Sequence, residues 1–152
     1  MILIQNPPFA FIGLSIRTTN ENQQAMQDIS ALWTRFFTEN VLASIPNKVD
    51  NSIYCIYTDY EKDYTKPYTT LLGCKVSSLE NIPDALVGRT IDGATYTTFT
   101  VKGNINEGIV GQKWGEIWST DLDRAYTADI EVYGEKAQDP ANAEIDILIA
   151  IK

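Results

Sequence analysis

The chain has 152 residues, of which 44% are hydrophobic and 21% charged, enough for one domain with a single core. Twelve basic residues against 20 acidic ones give a net charge of −8, a balance that does not hold a phosphate backbone, so no nucleic-acid partner is expected. Histidine is absent, which excludes Ser-His-Asp and Cys-His machinery and any His-ligated zinc.

Residues 1–8 lack a basic start and carry too short an apolar run for a signal peptide. No run approaches the ~18 apolar residues of a membrane helix. A cytoplasmic location with no membrane association is the expectation. The two cysteines, Cys55 and Cys74, sit in strand-like apolar runs and read as buried small hydrophobes.

In chain order, residues 9–17 form the first strand-like run. Residues 23–38 follow with helical period: Ala25, Met26, Ile29, Leu32, Trp33, Phe36 and Phe37 make one apolar stripe. Asn20 and Gln23 suit a capping box at its start. A turn at 46–51 leads to strands at 52–59 and 69–76, separated by a charged loop. That loop, from Asp59, imitates the start of an EF-hand, but Tyr64 and Thr70 stand where glycine and glutamate are needed, so calcium is not expected. Residues 80–93 read as a linker. A strand at 94–102, a helix at about 106–120 and strands at 128–134 and 143–151 complete the chain. Asn104 and Glu107 mark the second helix start.

The two helices match. Ile29, Trp33, Phe36 and Phe37 recur as Val110, Trp114, Ile117 and Trp118 at an offset of 81 residues. Each helix follows one strand and precedes two, so the chain reads as β-α-β-β written twice, with pseudo-repeats at about 1–79 and 90–152. Neither half is large enough to stand alone. The predicted architecture is α+β: one domain over 1–152 with a mostly antiparallel sheet, two helices on one face and a ligand cleft on the other.

Strand alternation assigns faces. Ile130 and Val132 suit the helix-covered side, which turns Asp129, Glu131 and Tyr133 to the open side, together with Ile53, Cys55 and Tyr57. Glu131 is then the repeat counterpart of Cys55. It reads either as a solvated charge on an open sheet face or as a carboxylate on the floor of an aromatic cleft. In the second case it pairs with a cationic ligand or acts as a general base. Trp33 and Trp114 suit core packing, whereas Trp118 and Phe37 suit a cleft edge. Glu116 and its repeat mate Arg35 point away from the apolar stripes.

The runs Ala94-Thr95-Tyr96-Thr97-Thr98-Phe99-Thr100-Val101-Lys102-Gly103, Trp114-Gly115-Glu116-Ile117-Trp118, Ala128-Asp129-Ile130-Glu131-Val132-Tyr133-Gly134 and Ala143-Glu144-Ile145-Asp146-Ile147-Leu148-Ile149-Ala150-Ile151 resemble, in order and spacing, the gyrase-inhibitor-like, AraC-type effector-binding domain. The resemblance spans essentially the whole chain and is to the stand-alone form, with no helix-turn-helix domain. It implies paired β-α-β-β units and a cleft between the halves, which in multidrug-sensing members is lined with aromatics and carries a buried glutamate that pairs with lipophilic cations. Glu131 matches that acid by strand position, and Cys55 opposite it departs from the pattern.

The first reading is therefore a binding module for lipophilic, cationic small molecules. Glu131 supplies the counter-charge, Tyr57, Tyr133, Tyr96 and Trp118 the stacking surface, and Cys55 and Phe37 lie beside them. Alternatives are a cofactor-free hydrolase of electrophilic compounds with Glu131 as general base, and an acidic protein inhibitor of a basic partner such as DNA gyrase. No metal or cofactor is expected under any of these readings.

Overall fold

A computed structural model describes residues 2–152. Strands β1 (Leu3–Asn6) and β2 (Phe9–Thr18) lead into helix α1 (Gln24–Thr38) and a short helix α2 (Val41–Ser44). Strands β3 (Ile53–Thr58), β4 (Tyr68–Val76), β5 (Val87–Ile91) and β6 (Ala94–Gly103) follow. Helix α3 (Ile109–Ser119) then precedes β7 (Ala128–Tyr133) and β8 (Ala143–Ile151). The duplicated β-α-β-β pattern is present as β2-α1-β3-β4 and β6-α3-β7-β8.

All eight strands join one antiparallel sheet in the order β1-β6-β8-β7-β3-β4-β2-β5. Read outward from its centre, the sheet is β3-β4-β2-β5 on one side and β7-β8-β6-β1 on the other. β1 therefore edges the second half although it precedes β2 of the first, and β5 is exchanged in the opposite sense. Only Pro7 and Pro8 separate β1 from β2, and only Asp92 and Gly93 separate β5 from β6. Links this short reach about 11 Å at most, so the two ends of the sheet must come together. The sheet accordingly curls into a half-barrel. The two links touch at Gly93, where an added Cβ would lie 3.0 Å from Pro8 Cδ and 3.2 Å from the Asn6 carbonyl oxygen.

The inside of the curl is a packed core built on Phe11, Ile56, Leu71, Tyr96 and Ile130. On the outer face α1 sets Leu32 and Phe36 against Leu14, Cys55 and Leu72, while α3 sets Ile117 against Val101, Ile147 and Ile149. The register pairs Leu72 with Cys55, Cys55 with Glu131 and Glu131 with Ile147, so both helices lie on one face, as expected.

The cleft does not lie on the opposite face. That face is the filled interior of the half-barrel, and the cleft opens between the two helices. The alternation in β7 misassigned its sides for a physical reason. Asp129, Ile130 and Glu131 are all buried, so neither side of this strand carries a solvent signal. The sealed interior takes the apolar Ile130, and the helix face takes the polar residues.

Local signals also differ in detail. The Asn20 side chain does not cap α1; it donates to the Tyr64 carbonyl at 2.8 Å and accepts from the Tyr68 hydroxyl at 2.6 Å. Helix α3 begins at Ile109 because a 3-10 turn at Ile105–Glu107 and Gly108, at φ 76°, precede it. Asn104 accepts from the Asn106 amide, as a start signal should. Strand β5 lies where a linker was expected, being short and at a sheet edge. Asp59 is held by Arg89, which donates from both terminal nitrogens at 2.7 and 2.9 Å.

β2 and β4 meet at Gly13 and Gly73, which are cross-strand partners. A Cβ on Gly73 would fall 2.2 Å from the Ile12 carbonyl oxygen and 2.6 Å from Gly13 Cα, both backbone atoms that cannot swing aside. Gly73→Ala is expected to lower stability by about 3 kcal/mol, read as a shift in the urea midpoint at unchanged slope. A change below about 0.5 kcal/mol would contradict this packing.

Candidate functional site

The central strands β3 and β7 provide the floor of the cleft, α1 and α3 its walls. Its volume is about 1520 Å³, above the roughly 300–1,000 Å³ of most drug-sized pockets, so a bulky ligand fits. At the floor, antiparallel register sets Cys55 directly opposite Glu131, with Ile53 opposite Tyr133 and Tyr57 opposite Asp129. The repeat therefore meets itself here. Tyr57 and Tyr133 are repeat mates, and both aim at Glu131.

Glu131 is 1% exposed, and three neutral groups donate to it. The Tyr133 hydroxyl reaches Oε1 at 2.5 Å; the Tyr57 hydroxyl and the Trp114 indole N–H reach Oε2 at 2.8 and 2.6 Å. Among the described residues no Lys or Arg stands against it within ion-pair distance. Burial pushes its carboxyl above the ordinary 4.5, while the three donors, Tyr133 first, pull the other way. Burial also raises the Tyr57 and Tyr133 hydroxyls well above 10.0, and the negative charge at Glu131 adds to both. Both tyrosines therefore remain protonated donors at neutral pH. The Cys55 thiol is pushed up by burial and by Glu131, and donates to the Tyr57 oxygen at 3.4 Å. A relay runs from Cys55 through Tyr57 to Glu131.

The aromatic walls are crossed between halves. Trp33 of α1 meets Tyr133 of β7 edge to face, at 4.9 Å between centroids; Trp114 of α3 meets Tyr57 of β3 in the same way, at 5.4 Å. Symmetry breaks below them, where one side offers a thiol and the other a carboxylate. Further out, Phe37 is 62% and Trp118 41% exposed, both lining the cleft at its rim. Phe37 stacks on Trp33 and Trp118 on Tyr64.

Of the residues singled out from sequence, Glu131, Tyr57, Tyr133, Trp118 and Phe37 line this cleft. Cys55 lies just beneath its floor, fully buried. Tyr96 does not belong with them: it is 0% exposed on the inside of the half-barrel, because β6 alternation pairs it with Ala150 on that face. Sequence reasoning missed Trp114 as a hydrogen-bond donor, although a tryptophan recurring at the offset of Trp33 was the available signal. It also missed Tyr60, Tyr64, Tyr68 and Arg124, which no periodic pattern marks.

A duplicated β-α-β-β half-barrel with an aromatic cleft between its helices and a buried acid on the floor defines an effector-binding protein. The match to one family model runs over residues 3–151, and the chain belongs to that family, Cass2, the integron-associated effector binding proteins. It is a small-molecule-binding protein by that membership. It is 31% identical over 146 residues to YobU of Bacillus subtilis (strain 168), described as a candidate transcriptional regulator, covering 93% of this chain and 91% of YobU. An integron cassette protein from the mobile metagenome of Vibrio cholerae has the same fold at TM-score 0.75 and 28% identity, over 99% of this chain and 95% of that one. The protein SAV2435, solved bound to tetraphenylphosphonium, superposes at TM-score 0.80 with 18% identity, over 99% and 93% of the two chains. Among the described residues no helix is long and apolar enough to cross a membrane.

The raised Glu131 carboxyl has a consequence for stability. A folded-state value above the unfolded one contributes stability that is present below about 4.5 and is lost as pH rises through the folded value. In Glu131→Gln this contribution is absent. Wild-type stability measured by urea unfolding should therefore fall relative to Glu131→Gln as pH rises from 4.5 toward 7. A difference independent of pH would contradict the assignment.

Proposed function

We propose that the cleft takes up bulky lipophilic cations, with Glu131 as their counter-charge. One observation carries the reading: a carboxylate is buried on the floor of an aromatic cleft with neutral donors around it and, among the described residues, no cation paired to it. Such a group is costly to ionise alone, and a bound cation repays that cost. The ligand thus discriminates itself from neutral compounds of the same shape. The rings of Tyr57, Tyr133, Trp33 and Trp114 offer faces and edges to its apolar body, and cation–aromatic attraction adds about 0.5–2 kcal/mol per well-placed ring. The net charge of −8 favours accumulation of cations near the mouth. SAV2435, with the same fold, holds tetraphenylphosphonium, and this supports the ligand class.

The general-base alternative draws less support. Three of the carboxylate's roughly four acceptor positions are taken, Oε1 by Tyr133 and Oε2 by both Tyr57 and Trp114, so a single position on Oε1 is left for a water. A role as a protein inhibitor draws no specific support from the cleft.

All three tryptophans line the cleft, so intrinsic fluorescence reports occupancy directly. Titration with tetraphenylphosphonium should show saturable quenching, weakened about tenfold or more in Glu131→Gln, equivalent to about 1.4 kcal/mol. Wild-type affinity should rise with pH as Glu131 ionises, and that of Glu131→Gln should stay flat. Equal affinities in the two proteins would overturn the counter-charge role.

A further inference from the structure

A second buried charge lines the same cleft and is incompletely satisfied. Arg124 is 6% exposed and uses Nη2 to donate to Asp129 Oδ2 at 2.7 Å. Its guanidinium carbon lies 4.3 Å from the centre of the Tyr126 ring, which covers one face. Nε and Nη1, both buried, meet no acceptor among the described residues. Buried guanidinium donors normally find partners, so this imbalance calls for an explanation. Asp129 shows no such deficit. Its Oδ2 also takes the Tyr60 hydroxyl at 2.5 Å, and its Oδ1 takes the Ala150 amide at 2.9 Å. The unmet hydrogen-bonding capacity is therefore on the arginine alone.

The position relates Arg124 to the cation site. Asp129 and Glu131 are two steps apart on β7 and share a face, about 7 Å from each other. Tyr60, which donates to Asp129, and the stacked pair Tyr64 and Trp118 line the same cleft. The same cleft is thus lined by the Glu131 carboxylate and by a guanidinium whose charge Asp129 already balances.

We propose that Arg124 is a second polar subsite of the cleft, which accepts a neutral carbonyl oxygen carried by the bound cation. This rests on the cation reading of Glu131 and narrows it to organic cations that also bear an amide, ester or ketone. A carboxylate is the poorer partner, because Asp129 stands beside the guanidinium and repels it. The carbonyl needs only a donor, and Arg124 has Nε and Nη1 to spare.

The test compares two triphenylphosphonium ions of matched length, one carrying a pentanamide chain and the other a hexyl chain. In a purely apolar cleft the hexyl ion binds more tightly, since the amide loses water without recompense. The wild type is expected to prefer the amide by about tenfold. A double variant, Arg124→Met with Asp129→Asn, leaves no unpaired charge and should lose that preference while holding the hexyl ion within about twofold. Preference for the hexyl ion in the wild type overturns the subsite whether or not the double variant folds, and so does an amide preference that survives in a folded double variant. If the hexyl ion binds in a Glu131-dependent way without an amide advantage, the Arg124 subsite alone fails. If neither ion binds, the cation reading fails and this one with it.

Discussion

A carboxylate removed from water needs either a cation or enough donors to replace its hydration, and Glu131 has only the second. Three neutral donors hold it, each from a different element: Tyr57 from β3, Trp114 from α3 and Tyr133 from β7 itself. The rest of the structure serves this arrangement. The seam between the repeats brings the two tyrosines together, and the helix of the second half lowers Trp114 onto the same oxygen as Tyr57. The cleft is open above because the two helices stand apart over the seam rather than closing on it.

Duplication explains how such a site arises within a small chain. Two copies of one unit meet at β3 and β7, and the crossed pairs Trp33–Tyr133 and Trp114–Tyr57 preserve their symmetry. At the centre of that symmetric frame, Cys55 faces Glu131. A carboxylate in both copies would place two buried like charges on adjacent strands, and one could not ionise. A thiol in one copy avoids that conflict, leaving a single acid at the axis. The exchanged edge strands β1 and β5 then tie the halves into one curled sheet whose interior is fully packed.

The sequence made the repeat legible because tryptophan and phenylalanine recur at one spacing, and six of the eight strands followed from apolar runs and turn residues. It did not make the sides of the sheet legible. Alternation locates solvent only when one face meets it, and around Asp129, Ile130 and Glu131 neither does. Glu131 was found for its chemistry while its face was misassigned, and Tyr96 was carried into the cleft although β6 buries it in the half-barrel. β1 and β5 escaped notice as short edge strands. Asn20 escaped as a loop anchor because its hydrogen bonds to Tyr64 and Tyr68 are contacts distant in sequence. Arg124 and Asp129 likewise come together only once the segment before β7 pairs with the end of β8.

The proposed cation site makes Glu131 an acid awaiting a positive charge. The most direct measurement is the carbon-13 chemical shift of its side-chain carboxyl followed through a pH titration, without ligand and with saturating tetraphenylphosphonium. Without ligand the midpoint is expected above the ordinary 4.5, and with the cation bound it is expected to move down. A midpoint that does not move on saturation, in a protein that demonstrably binds the ion, would contradict the account.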